Sequence, residues 1–180
     1  MSFNGLSTEV TKMLRIQHPV LLAGMFGVAH HELAAAVSNA GGIGTIGGLT
    51  MKPAALQKEI DMLKELLVDK TCFGVDLAWP QVGGGARKTN YDYTEGNFPE
   101  LIDIIVREKA RMFVCAIGVP PKWAVDKLHA GGVIVMNMIG EPKHVEKALA
   151  TGVDLICAQG TEAGGHSGDI ATLPLIPQCV

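Results

Sequence analysis

The stretch Gln159-Gly160-Thr161-Glu162-Ala163-Gly164-Gly165-His166-Ser167-Gly168 sets an imidazole among glycines directly after the apolar run 153–158. That run reads as a buried parallel strand. His166 would therefore sit just past a strand's C-terminal end, where α/β folds gather ligands and catalytic groups. An imidazole titrates near neutral pH and can take up a proton. Glycines around it allow positive φ and let the backbone approach a flat or charged ligand. A general base must lie within hydrogen-bond reach of the proton it abstracts, and a rigid strand end presents it better than a long loop. Glu162 is read as a solvated loop acid rather than as a partner orienting His166.

The other histidines have plainer readings. His18 precedes a proline ahead of the first strand, His30 and His31 open the first helix, and His129 and His144 are helical and exposed. Only the His30-His31 pair faces the same rim. The pattern Gly42-x-Gly44-x-x-Gly47 formally satisfies the dinucleotide-binding motif. That motif has mechanical meaning only when a strand precedes it and a helix opens on its last glycine. Here a helix precedes it and the next helix starts only at Pro53, so these glycines are read as tight turns and close backbone approaches.

The elements that must position His166 alternate. Strands are predicted over 19–23, 43–46, 73–77, 112–117, 133–138 and 153–158, with helices over 31–39, 53–68, 98–109, 121–129 and 142–151. The second helix repeats Leu56, Ile60, Leu63 and Leu67 at helical spacing behind a proline in its first turn. Another carries Leu101, Ile102, Ile105 and Val106 on one face. Strand starts fall about 20 to 30 residues apart, as in βα repeats. The segment 79–97 is too long for a plain connector. It carries Gly83-Gly84-Gly85, Tyr91 and Tyr93, and is read as a lid or binding loop over a surface insertion. Periodicity alone leaves a doubly wound sheet and part of an eight-stranded barrel both open.

Composition sets the class. The chain of 180 residues is 48% hydrophobic and 18% charged, with a formal net charge of −3. No basic cluster exceeds Arg87-Lys88, so no nucleic-acid footprint is present. No apolar run reaches the roughly 18 residues that span a bilayer. The polar start 1–12 lacks the regions of a signal peptide. The four cysteines form no C-x-x-C pair, and a cytoplasmic setting without metal or disulfide roles is expected.

Residues 158–168 (A-Q-G-T-E-A-G-G-H-S-G) resemble the signature of the flavin-dependent nitronate monooxygenases, formerly 2-nitropropane dioxygenases. The stretch 32–44, ELAAAVSNAGGIG, and Phe73-Gly74-Val75-Asp76-Leu77 are similar to the same family, as is the order of βα units between them. The resemblance implies a TIM (β/α)8-type barrel, here incomplete with about six βα units, and FMN at its C-terminal rim. It also implies that His166 is the general base removing the acidic α-proton of a nitroalkane, with O₂ as oxidant. By the same resemblance Gln159 contacts the flavin, Gly164 and Gly165 admit its ring or phosphate side, and Gly24 and Met25 lie against the ring. Asp76 stands where many relatives place an asparagine that hydrogen-bonds the flavin. Leu22-Ala23-Gly24-Met25 replaces the more usual alanine–proline–methionine and marks a divergent branch.

TIM barrels commonly bind phosphate with the loops after strands seven and eight. The chain is accordingly expected to be the N-terminal part of a longer enzyme, lacking the last two βα units and binding FMN weakly or not at all on its own. Open barrel edges would allow self-association. The expected partners are a small nitronate or nitroalkane and O₂, with no nucleic acid and no membrane. The alternatives are a flavin-dependent enoyl reductase with a similar Gly-Gly-His arrangement, and a non-catalytic half-barrel.

Overall fold

The structure is a computed structural model that describes residues 6–80, 82 and 91–180. Gly83-Gly84-Gly85, part of the expected binding loop, lie outside the described residues. Strands β1 (Gly44–Gly47), β2 (Phe73–Trp79), β3 (Met112–Gly118), β4 (Ile134–Ile139) and β5 (Leu155–Ala158) form one parallel sheet in the order β1-β2-β3-β4-β5. Each strand pairs with the next in sequence. That is the winding of a TIM-type barrel and not of a doubly wound sheet, whose strand order reverses.

One predicted strand is corrected. Segment 19–23 does not form a ladder; it makes a single parallel bridge, Leu21 to Ile43. Leu22 N–H donates to the Ile43 carbonyl at 2.9 Å and Ile43 N–H to the Val20 carbonyl at 3.0 Å. Pro19 cannot donate at one end, and Gly24 turns the chain at the other. The segment still runs beside β1, where a barrel's first strand belongs.

The helices between strands are α2 (His31–Asn39), α3 (Pro53–Leu66), α4 (Phe98–Arg107) and α5 (Lys122–Ala130). A 3₁₀ turn, Pro142–His144, leads into the short α6 (Val145–Leu149). Leu56, Ile60, Leu63 and Leu67 are buried as their spacing predicted, and Leu101, Ile102 and Ile105 likewise. They pack on Ile46, Phe73, Val75, Leu77, Phe113 and Val135, which form the helix-facing side of the sheet.

The other side is the barrel interior. Ile43, Met112, Val114 and Met136 share it with Leu14. Leu14 comes from α1 (Glu9–Leu14), an element the sequence reading missed. The helix begins with a reciprocal cap between Thr8 and Thr11, in which threonine does the work usually given to Glu or Gln. Its last carbonyls, of Leu14 and Arg15, accept from the Arg111 guanidinium at 3.1 and 3.2 Å. Because Arg111 immediately precedes β3, α1 is tied to the N-terminal end of the barrel and leaves the C-terminal rim clear. The apolar segment after residue 171 forms α7 (Thr172–Gln178).

The glycines of the false dinucleotide motif are packing devices. A Cβ on Gly44 would lie 1.9 Å from the Ala34 carbonyl oxygen, one on Gly42 2.6 Å from that of Val20, and one on Gly47 2.5 Å from that of Met25. They let α2 and the 19–25 segment press against β1.

Candidate active site

Strand β5 delivers the glycine–histidine loop. Its pairing extends one step, because Gln159 N–H donates to the Ile139 carbonyl at 2.8 Å. The loop then closes on itself. Thr161 N–H donates to Ile170 O at 2.9 Å, and the Glu162 carboxylate accepts from both the backbone N–H and the hydroxyl of Thr172 at 2.9 Å. Glu162 thus caps α7, and its own backbone N–H, together with these hydrogen bonds from Thr172, holds its carboxyl below the ordinary range. It is exposed and turned to α7, in line with its reading as a loop acid.

Gly164 and Gly165 stand at the loop's tip with open space around them: no atom lies within 4 Å of where a Cβ would be. Gly165 has φ +77, a left-handed conformation that a side chain would strain. Gln159 Nε2 donates to the Gly164 carbonyl at 3.3 Å, so the glutamine braces the tip. Gly168 rests backbone to backbone on Gly140 of the preceding strand's loop.

His166 is exposed and meets one aromatic side chain. Tyr93 Oη lies 3.4 Å from His166 Nε2, at the outer edge of hydrogen-bonding range, and the rings meet edge to face at 6.3 Å. Tyr93 belongs to the long loop after β2. Burial, with Tyr91 beside it, pushes the Tyr93 phenol above its usual value, so at neutral pH it keeps its proton. Either partner can donate in this contact, depending on which ring nitrogen carries the imidazole proton. Tyr93 is itself fixed: Asp92 accepts from Thr94 N–H at 2.9 Å, from the Thr94 hydroxyl at 2.7 Å and from Gly96 N–H at 2.7 Å. Lys52, ahead of α3, pairs with Glu95 on the same turn. Under the loop, Trp79 at the end of β2 packs on Phe98 with ring centroids 4.4 Å apart, and Phe98 meets Trp123 at 6.1 Å. Nothing in the one-dimensional pattern signalled that anchoring cluster.

Gly24, Met25 and Asp76 come together on the opposite side of the rim. A Cβ on Gly24 would lie 2.2 Å from Asp76 Cβ, so the first loop's backbone lies directly on that side chain. Asp76 is 5% exposed, and burial pushes its carboxyl well above the usual range. His30 and His31, also on the first loop, both face Glu59 of α3, with His31 Nδ1 2.8 Å from its carboxylate. Glu59 also accepts His31 N–H at 2.7 Å and so caps α2. That pair is structural. His129 pairs with Asp154 at 2.9 Å near the N-terminal ends of β4 and β5, away from the rim.

A cavity of 240 Å³ lies at the far end of the barrel, between Arg15, Gln17, Asn39, Asp69, Cys72 and Arg111. Its guanidinium Arg111 is already taken by Asp69 and by the carbonyls of α1. Among the described residues no group of three or more His, Cys, Asp or Glu could hold a metal ion, and no helix is long and apolar enough to cross a membrane.

The nitronate monooxygenase family profile matches residues 7–180. The chain belongs to the nitronate monooxygenase family. It is 36% identical over 96% of its length to a (3aS,4S,5R,7aS)-5-hydroxy-7a-methyl-1-oxo-octahydro-1H-indene-4-carboxyl-CoA dehydrogenase of Rhodococcus jostii, of which it covers 44%. To a probable nitronate monooxygenase of Staphylococcus saprophyticus it is 32% identical over 97% of its length, covering 58% of that protein. The fold matches FabK of Thermotoga maritima with a TM-score of 0.82 at 30% identity, over 97% of this chain and 50% of that one. It also matches a nitroalkane oxidase of Streptomyces ansochromogenes with a TM-score of 0.81 at 25% identity, over 94% and 56%. The chain thus spans about half the length of the relatives it matches. Its strand order and its likeness to these structures give it the fold of a TIM-type barrel.

Proposed function

We propose that the chain forms the base-carrying part of an FMN-dependent nitronate monooxygenase, acting on nitroalkanes or their nitronates with O₂. The contact between Tyr93 and His166 carries this reading, because it fixes an imidazole on the C-terminal rim. The residues present suit a flat heteroaromatic cofactor. Gly164 and Gly165 leave open space that side chains would fill, and the buried Asp76 carboxyl has no described hydrogen-bond partner beneath Gly24. Gly24 and Met25 would lie along the ring, Gln159 would hold the glycine tip against it, and Asp76 would reach its edge. When bound, FMN supplies the electron acceptor and the reactivity toward O₂.

The protein's own task is then proton removal. Carbon bearing a nitro group is acidic, so one positioned base suffices. Tyr93 would hold the imidazole over the mouth, and the ring nitrogen left free would take the α-proton. A substrate supplied as its nitronate has no such proton to lose. Oxygen uptake with 2-nitropropane and with its nitronate, by wild type and His166→Ala, tests the reading. Loss on the neutral compound alone supports it, whereas undiminished turnover of both sinks it.

A second reading, reduction of an enoyl thioester, draws support from the 36% identical relative named for a carboxyl-CoA substrate and from the likeness to FabK. NAD(P)H oxidation on adding crotonyl-CoA, without oxygen uptake on a nitronate, would favour it.

A further inference from the structure

Asp76 is a buried carboxyl in apolar surroundings. Strand register aligns it with Gly47, Val114, Met136 and Leu155. Val114, Met136 and Leu155 belong to the interior cluster, whereas Val75 and Leu77 on either side of Asp76 pack against the helices. The carboxyl therefore faces into the barrel. It lies midway along β2, level with the end of β1 at Gly47, with the backbone of Gly24 pressed on it. Among the described residues none hydrogen-bonds to it, and burial raises its proton affinity. The titratable groups that sense it are the thiols of Cys115 and Cys157, both pushed up by their own burial first and by Asp76 second. A carboxylate left ionised among such neighbours would be costly, and the group takes up a proton instead.

A neutral carboxylic acid has one O–H donor and one carbonyl acceptor, the same pairing capacity toward a planar ligand that a primary amide offers. We propose that Asp76 remains an uncharged acid at neutral pH and donates its O–H to a ring acceptor of the isoalloxazine, serving the flavin as an asparagine would. This rests on the flavin reading given above. It goes beyond that reading by stating that the residue brings a proton and no charge to the ring. A carboxylate there could only accept, and would put a negative charge against a ring that must take on electrons.

Infrared difference spectroscopy tests both parts. The 180-residue chain is compared with Asp76→Asn, and with a chain carrying ¹³C at its aspartate carboxyls, which needs no substitution. At pH 7 a protonated-carboxyl band that moves with the isotope and is missing in Asp76→Asn is the expected result; its absence overturns the proposal. FMN is then added at millimolar concentration, enough to fill even a weak site, with binding followed by fluorescence quenching. A shift of the band on binding supports the donor role. Binding with an unmoved band overturns it and leaves the flavin reading standing. No quenching at all overturns this inference, while the flavin reading is judged separately by the oxygen-uptake experiment. As an independent readout, Kd for FMN should change by less than about threefold in Asp76→Asn and rise about tenfold in Asp76→Ala, the factor expected for one neutral hydrogen bond. Equal weakening in both variants would overturn the proposal.

Discussion

The hydroxyl of Tyr93 and Nε2 of His166 lie 3.4 Å apart although their loops leave β2 and β5, which β3 and β4 separate in the sheet. In a flat sheet those strands would stand about 14 Å apart. Curvature brings the two loops together across the mouth. The contact joins the long insertion to the glycine–histidine loop and places the imidazole between them.

Removing that hydroxyl should therefore affect proton abstraction and little else. Tyr93→Phe keeps the ring contact and loses the hydrogen bond, so kcat/KM for neutral nitroalkanes is expected to fall about three- to tenfold. Turnover of preformed nitronates should be unchanged. A parallel loss on both substrates would assign the tyrosine to cofactor or substrate binding instead.

Replacing the imidazole is more severe. His166→Ala should lower kcat/KM for neutral nitroalkanes by about 10² to 10⁴, the usual contribution of a general base, with nitronate turnover retained. Because His166 is exposed at a loop tip, thermal unfolding of the variant should match wild type.

Gly24→Ala should disturb the rim without touching His166. Its methyl would lie 2.2 Å from Asp76 Cβ, and the side chain of Asp76, on a central strand, has little freedom to yield. A loss of about 1–3 kcal/mol is expected in urea unfolding, together with weaker flavin binding. Pairing it with Asp76→Gly should recover part of the stability; failure to recover any would mean the clash lies elsewhere.

At the other end of the barrel, the clamp between Asp69 and Arg111 should be acid-sensitive. The hydrogen bond from the Thr71 backbone, aided by Arg111 and the Thr71 hydroxyl, lowers the Asp69 carboxyl to about 2. A carboxyl depressed on folding adds stability that is present above its unfolded value, near 3.8, and fades as pH falls toward 2. Acid titration of wild type should thus show a stability loss in this window that is smaller in Asp69→Asn. The carboxylate is half exposed, so salt should reduce the difference. Equal acid slopes in the two proteins would contradict the assignment.

Much of this molecule was legible in one dimension because its signals are local. The spacing of Leu56, Ile60, Leu63 and Leu67 required a helix with one buried face, and α3 has it. Apolar runs bounded by glycine and proline located β2, β3 and β4 to within a residue or two. The reversed order of helix and strand was enough to dismiss Gly42, Gly44 and Gly47 as a cofactor loop, and each proves to be a point of backbone contact. The cap that starts α1 escaped notice because Thr8 and Thr11 satisfy each other without an acidic partner. The first strand was overread, since an apolar run beside Pro19 supports only one bridge.

Residue order alone determined the βα alternation, the helix faces and the position of His166 at a strand end, since periodicity and chain direction are properties of neighbours. Only the tertiary structure decided that Tyr93 meets His166, that Glu162 turns away to cap α7, and that Asp76 lies buried beneath Gly24. Those relations depend on how far the sheet curls and how closely distant backbones approach. Both are set by packing between segments far apart in the chain.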